Sequence, residues 1–190
     1  MNFEEHIATI TPLEEGYLYS VEYKGDETDV LDILLDRWDD TEYLVDYFDK
    51  KSDLLHEGYF TEKEIANSVG NVIRDVNRLK IKLAKASKTG KLHQFFKPYT
   101  KGIQTRHLEP LKKAYGTMPR SMLRLYAVCL QDGSYIICGG AIKLTKNVDG
   151  DEELQKERAR LNRLRDYLKQ EGIEDTEQLD LLILDLEEDK

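Results

Sequence analysis

The sequence predicts a protein of mixed α and β structure, organised around a β-hairpin within residues 123–146. Two apolar runs in that stretch flank Asp132-Gly133, and Asp-Gly between strand-like runs is a strong hairpin signal. A further short strand is predicted at residues 17–24, bounded by Gly16 and Gly25. Apolar residues at helical spacing occur before and after the hairpin, so helices are expected on both sides of it along the chain.

A two-residue type I′ turn at Asp132-Gly133 sets the expected register, in which Tyr126 lies opposite Gly139. A slip of one residue would exchange the two faces of the hairpin, so the pattern specifies this register well. The face expected to lie on the core carries no charge and comprises Leu123, Leu125, Ala127, Cys129, Ile136, Cys138, Gly140, Ile142 and Leu144.

The opposite face places Arg124, Tyr126 and Lys143 together at one end, beside Gly139 and Ala141. Because glycine and alanine leave the backbone almost uncovered, a ligand can approach the sheet at that point. The alternative interpretation is a half-exposed sheet with solvated charges and a bulge at the glycines. Both interpretations remain open from the sequence.

Length and composition indicate one globular domain with appendages. The chain has 190 residues, of which 40% are hydrophobic and 34% are charged. No apolar run approaches the ~20 residues of a membrane helix, and the acidic start lacks the features of a signal peptide, so a cytoplasmic protein is expected. The two cysteines, Cys129 and Cys138, are expected to be reduced core residues and not a disulfide or a metal pair.

Charge is segregated along the chain. Residues 1–80 hold 8 Lys and Arg against 20 Asp and Glu, residues 81–146 hold 13 against 2, and residues 147–190 hold 7 against 15. The net charges are therefore −12, +11 and −8, within a total of −9. A basic middle between acidic flanks indicates either an anion-binding site or internal charge pairing.

Helices are predicted at residues 29–38 and 43–49, separated by a break and an N-cap at residues 39–41, with a polar connection at residues 50–59. A capping box at residues 61–64 opens a long helix that should run to about Ser87 and stop at Gly90. Residues 151–170 predict a surface helix. Residues 175–187 predict a short acidic amphipathic helix, which we expect to lie against the basic segment or a partner surface.

Residues 91–122 interleave cations with aromatic rings, as a single-stranded nucleic acid requires, because cations meet phosphates and rings stack on bases. The alternative is a strand plus a short helix with core aromatics and solvated lysines. The candidate RNA-binding residues are Lys97, Tyr99, Lys101, Arg106, Lys112, Lys113 and Arg120.

Sequence motifs for phosphate loops, dinucleotide binding, nucleophile elbows and zinc proteases are absent. The four histidines are scattered without metal-ligand spacing, so no metal and no cofactor is expected. The remaining chemistry lies in the Arg, Lys and Tyr set of the predicted hairpin.

Residues 123–167 resemble the RelE/ParE toxin superfamily, and most closely its HigB-like branch. The resemblance rests on a strand bearing Arg124, a turn, an apolar strand at residues 135–138, a glycine pair, a Lys-rich end with Lys143 and Lys146, and a charged helix at residues 152–167. It implies an α+β fold with a curved, mainly antiparallel sheet, two N-terminal helical segments packed on one face, and added C-terminal helices. Residues 1–172 would form this domain with an extended acidic N-terminal part, and residues 173–190 an acidic amphipathic appendage.

The same resemblance implies a bacterial type II toxin–antitoxin protein that cuts mRNA on the ribosome without a metal. Its partners would be ribosome-bound mRNA and an antitoxin protein, with no membrane. The implied catalytic residues are Arg124 as the phosphate holder, Lys143 or Lys146 in support, and Tyr126 positioning the nucleotide.

Three departures favour the alternative of a non-enzymatic binding or regulatory module on the same scaffold. Ala141 stands where the family usually has an aromatic residue, and no His or acid obviously takes the proton-transfer role. The chain is also longer and more acidic than a compact toxin. Members of the ParE type act on DNA gyrase and share the scaffold, so a fold of this kind does not decide the function.

Overall fold

The computed structural model describes residues 7–14, 17–57, 60–98, 111–118, 120–146 and 150–188. One six-stranded sheet in the order β1-β2-β6-β5-β4-β3 runs through them. Its neighbouring strands are antiparallel except for the parallel pair β2–β6. The strands are β1 (Ile7–Glu14), β2 (Leu18–Tyr23), β3 (Lys97–Pro98), β4 (Leu111–Tyr115), β5 (Leu123–Cys129) and β6 (Tyr135–Ile142).

Helices cover both faces of this sheet, which confirms the α+β class in general. They are α1 (Val30–Asp39), α2 (Thr41–Lys50), α3 (Ser52–Glu57), α4 (Glu62–Ala66), α5 (Ser68–Lys88), α6 (Leu92–Phe95), α7 (Glu152–Gln170) and α8 (Thr176–Glu188). No helix within the described ranges is both long and apolar enough to cross a membrane.

Two hydrophobic cores lie on opposite sides of the sheet. Helices α1, α2 and α5 bury Trp38, Leu44 and Val76 against one face. Helices α7 and α8 bury Leu161 and Leu179 against the other. Every residue of β5 and β6 is consequently buried, and the expectation of a half-exposed hairpin face is wrong.

Local signals correctly predicted most helix starts. Asp40 caps α2 by accepting the Glu42 amide at 2.8 Å, and Thr61 and Glu64 form the expected capping box. The long helix is nevertheless broken at Asn67 into α4 and α5. The predicted polar connection at residues 50–59 contains α3, and β1 lies in a segment for which no strand was predicted.

A cluster of polar side chains ties the two helical layers together near the start of α7. Lys51 Nζ lies 3.2 Å from Asp151 Oδ1 and 2.9 Å from Glu153 Oε2. The Tyr47 hydroxyl donates to the same Glu153 oxygen at 3.0 Å. Burial alone would lower the pKa of Lys51, but the two carboxylates outweigh it and raise that pKa. Lys51 therefore stays charged and links α2 to the N-terminus of α7.

The hairpin turn differs from the predicted type I′ turn. The Leu130 amide donates to the Ser134 carbonyl at 2.8 Å, and the Gly133 amide donates to the Leu130 carbonyl at 3.1 Å. Gly133 has φ +88°, whereas Asp132 is not in the left-handed region. This is a three-residue loop in which Gly133 alone takes the left-handed conformation, a common alternative to the two-residue turn.

A β-bulge at Cys138 restores the predicted register farther from the turn. Tyr126 pairs with Gly139 as expected, but Ala127 pairs with Ile137 and Cys138 is left over. Leu125, Ala127 and Ile142 lie on the predicted core face. Ile136 and Cys138 are buried on the opposite face, beneath α7 and α8, so their predicted face is wrong.

Helix α8 packs on β1 through apolar side chains, with Leu179 and Leu182 in the second core. At its start, the Thr176 amide donates to Asp132 at 2.8 Å. Its Asp180 accepts from the Tyr19 hydroxyl at 3.4 Å. The described contacts of α8 are apolar packing and hydrogen bonds on β1, β2 and the hairpin turn. The expected contact with the basic segment is therefore not among them, and the expected partner surface stays a prediction.

Gly140→Ala should destabilise the protein, whereas Gly70→Ala should stabilise it. A Cβ at Gly140 would lie 2.7 Å from the Arg124 carbonyl oxygen and 3.0 Å from the Trp38 ring. Overpacking of this kind costs about 1–3 kcal/mol. A Cβ at Gly70 would meet only Arg74 Nη1, at 3.9 Å, and Ala is about 1 kcal/mol better than Gly inside a helix. Urea unfolding followed by circular dichroism measures both changes, and a neutral Gly140→Ala would contradict the packing.

Candidate functional site

A group of basic and aromatic side chains lies on the face of the sheet that carries α7, beside that helix at strand β4. Strand pairing places Tyr115 opposite Arg124 and Lys113 opposite Tyr126. Lys143 follows β6 at the same end of the hairpin. We call Lys113, Tyr115, Arg124 and Lys143 the basic shelf.

Two cations of the basic shelf lie over one aromatic ring, and a third, Lys143, lies within electrostatic reach of both. The Arg124 guanidinium carbon lies 4.3 Å from the centroid of the Tyr115 ring, and Lys113 Nζ lies 5.4 Å from it. Burial lowers the pKa of Lys143, and the charges of Arg124 and Lys113 lower it further. The cations therefore repel one another, and an anion that joined them would be stabilised.

Arg124 also has a structural role. It is only 8% exposed, and its Nη1 donates to the carbonyls of Ser121 and Leu123, both at 2.7 Å. Loss of the guanidinium would leave two buried carbonyls without this donor. Substitution of Arg124 is therefore expected to disturb folding as well as any ligand contact, in contrast to an accessible binding side chain.

A buried carboxylate holds the loop that supports Arg124. Asp75 of α5 accepts from the amides of Thr117 and Met118, at 2.5 and 3.0 Å, and from the Ser121 hydroxyl. Gly116 is required there, since a Cβ would collide with Asp75. The loop borders a cavity of about 210 Å³ between α4, α5, Met118 and residues 120–122. Asp75 thus positions the Ser121 carbonyl that accepts a hydrogen bond from Arg124.

The structure brings only some of the predicted catalytic residues together. Arg124 and Lys143 belong to the basic shelf, while Tyr126 is 3% exposed within the second core. Lys146 is exposed beyond the end of β6.

The predicted RNA-binding residues are spread more widely. Lys97 is exposed on β3 and pairs with Lys113, so it extends the basic shelf toward the sheet edge. Lys112 points to the other face, and Arg120 forms an ion pair with Glu64 at 3.1 Å. Tyr99, Lys101 and Arg106 lie outside the described residues.

Glu157 of α7 is a titratable group that the sequence did not single out. It lies over Gly139, where any Cβ would collide with its carboxylate. Arg160 Nη1 donates to Oε1 at 2.9 Å, while the buried Oε2 has no hydrogen-bond partner among the described residues. Burial raises the pKa of Glu157 to about 7, despite the opposing charge of Arg160. This carboxyl can therefore exchange a proton near neutral pH.

No sequence signal could have distinguished Glu157 from the other carboxylates of the acidic C-terminal part. Its environment depends on the bulge at Cys138, which turns both Cys138 and Gly139 toward α7. The sequence shows Gly139, but it does not show that α7 packs against this glycine.

Comparisons with protein-family models, with curated proteins and with solved structures returned no match. The resemblance to the RelE/ParE superfamily therefore stays a prediction based on residues 123–167. Within the described part of the chain, no group of three or more His, Cys, Asp or Glu residues is arranged to hold a metal ion.

Glu157→Gln should flatten the pH dependence of stability. The folded-state pKa of about 7 lies above the ordinary 4.5, so the folded protein binds more protons and loses stability as pH rises through this range. Gln carries no charge at any pH. Between pH 4 and 9 the wild type should lose about 3 kcal/mol relative to Glu157→Gln, since each tenfold change in proton affinity corresponds to about 1.4 kcal/mol.

Urea unfolding at a series of pH values measures this difference. Glu187→Gln, at an exposed position of α8, is the matched control and should track the wild type. Parallel stability profiles for the wild type and Glu157→Gln would show that the Glu157 carboxyl titrates normally.

Proposed function

We propose that the chain binds single-stranded RNA through the basic shelf. The observation that carries this proposal is the gathering of three cations beside Tyr115, two of them over its ring, on a chain whose total charge is −9. Cations that meet phosphates and an exposed ring that stacks on a base are the two requirements for sequence-tolerant binding of a single strand.

The parts of the basic shelf suit different atoms of such a ligand. Tyr115 is 43% exposed, so part of its ring is open to a base. Lys113 and Lys143 are half-buried and bring charge to the surface, while buried Arg124 adds charge from below. Lys97 lies beside Lys113 on the next strand, where a further phosphate would meet it.

Lys113→Ala and Lys143→Ala should each weaken RNA binding and reduce its salt dependence. Each lost phosphate contact lowers the slope of log affinity against log salt by about 0.7 for a single strand. Fluorescence anisotropy with a labelled, unstructured RNA about ten nucleotides long measures both quantities.

Lys82→Ala is the control, because Lys82 is exposed on α5, on the opposite side of the sheet. An equal loss for Lys82→Ala would indicate attraction by general charge. Absence of binding by the wild type at low salt would contradict the proposal.

A second candidate is the metal-independent mRNA endoribonuclease of a type II toxin–antitoxin pair, and Glu157 is the observation that favours it. Cleavage by the RNA 2′-hydroxyl needs a base near neutral pH, and the pKa of Glu157 is about 7 because of burial. Glu157 lies over Gly139, which pairs with Tyr126, two residues from Arg124 on the same face of β5. That separation is about 7 Å along a strand.

In this candidate function, Glu157 would take the 2′-hydroxyl proton as the 2′-oxygen bonds to phosphorus, and Lys143 would stabilise charge on the phosphate. The bond from phosphorus to the 5′-oxygen then breaks, and the departing 5′-oxygen takes a proton from solvent water. Removal of one such charge contact typically lowers the rate by about 10²–10³-fold. We therefore expect Glu157→Gln to retain RNA binding and Lys143→Ala to retain its fold. In both variants the rate of RNA cleavage should fall.

Mapping of mRNA 5′ ends in a bacterial cell-free translation reaction tests the candidate. Glu187→Gln is again the control and should cleave as the wild type does. Equal cleavage by Glu157→Gln, or none by the wild type while RNA still binds, would leave the non-enzymatic binding function alone. An antitoxin partner would be expected only if cleavage occurs.

A further inference from the structure

The outer face of α8 carries two neighbouring exposed leucines in an acidic setting. Leu181 is 61% exposed and Leu184 is 57% exposed, and three residues apart they lie on one side of the helix. Exposed carboxylates flank them at Glu177, Asp185 and Glu188. We call these five residues the acidic strip. Apolar contacts flanked by charge are typical of a helix face that docks on a partner.

The acidic strip cannot reach the basic shelf of its own chain. Leu179 and Leu182 hold α8 on β1, and Thr176 is bonded to Asp132. Lys113 and Tyr115 lie on β4, four strand spacings or about 19 Å from β1, and Arg124 lies on β5, one spacing nearer. Lys143 follows β6, two spacings from β1, and α7 packs over β6, β5 and β4. Because α7 stands beside the shelf on this face and α8 is fixed on β1, we expect contact between the two surfaces only when they belong to two molecules.

We propose that the acidic strip of α8 docks on the basic shelf of a second copy of this chain. The surfaces are complementary in charge, with three carboxylates on one and Lys113, Arg124 and Lys143 on the other. They are also complementary in apolar character, because Leu181 and Leu184 would cover the exposed part of the Tyr115 ring. Charge complementarity sets specificity, and the apolar centre supplies the favourable burial.

The placement of the two surfaces allows a closed dimer. Both lie on the face of the sheet that carries α7 and α8, and they lie toward opposite edges. A two-fold axis parallel to the strands brings opposite edges of two facing molecules together, which is the arrangement that two reciprocal contacts require. This inference needs a cationic shelf but does not require that the shelf bind RNA.

Sedimentation equilibrium without RNA tests the inference. We expect a concentration-dependent dimer at about 50 mM salt that dissociates at about 500 mM salt, because screening shortens from about 14 Å to about 4 Å. Leu181→Ser combined with Leu184→Ser should yield a monomer of unchanged thermal stability. Ile81→Ser, at a 71% exposed position of α5 on the other side of the sheet, is the control and should still dimerise.

Charge reversal identifies the partner surface. Asp185→Lys and Lys143→Glu should each yield monomers, since each places like charges across the contact. Mixing the two variants should restore the dimer, because the two substituted side chains would then face each other with opposite charges and the second contact would be native. A wild-type monomer at low salt, a dimer that survives the double leucine substitution, or no dimer in the mixture would each overturn the inference.

The same proteins separate this inference from RNA binding. Fluorescence anisotropy of labelled RNA with the double leucine variant measures the RNA affinity of the basic shelf. In this variant the acidic strip can no longer dock on the shelf. RNA binding by a wild type that never dimerises would overturn only the self-association. Because the dimer contact covers the shelf, the proposed function is overturned only when the monomeric double leucine variant fails to bind RNA.

Discussion

The close approach of two helical layers to one strand is the constraint on which the rest of the structure depends. Gly139 and Gly140 are adjacent in β6 and face opposite sides of the sheet. Gly140 admits the Trp38 ring of α1, and Gly139 admits the Glu157 carboxylate of α7. A side chain at either position would push a layer away from the hairpin, so the pair permits burial of β5 and β6 on both faces.

This double covering decides what is accessible at the candidate site. Because α7 lies over β6 and β5, Tyr126 is enclosed and Arg124 is buried. The open surface lies at β4, where Lys113 and Tyr115 remain partly exposed. The site is therefore a shelf beside a helix. Its buried guanidinium is held by the Ser121 carbonyl, in a loop fixed by Asp75, so its charge is positioned before any ligand arrives.

The segregation of charge along the chain becomes a segregation in space. Acidic α8 packs at β1, and part of the basic middle forms the shelf near the opposite edge of the sheet. Leucines hold α8 in place together with the hydrogen bonds at Thr176 and Asp180, which leaves the carboxylates of the acidic strip exposed. A molecule of net charge −9 thereby keeps a local cationic surface, since screening confines each field to about 8 Å in physiological salt.

The sequence by itself determined the elements whose signals are local. Asp40, the Thr61 capping box and Asp151 start helices because each side chain satisfies amides within its own first turn. Apolar spacing correctly predicted α7, α8 and the hairpin strands, and it placed Arg124 beside Lys143.

Only the tertiary structure decided the features that depend on partners distant in sequence. The turn at Gly133 and the bulge at Cys138 compensate each other in register, so the hairpin ends alone could not reveal either. The parallel pairing of β2 with β6 joins segments more than 100 residues apart. The pKa of Glu157 is raised because packing of α7 on Gly139 removes water from the carboxyl. Burial and long-range packing set these properties, and neither can be predicted from a local pattern of residues.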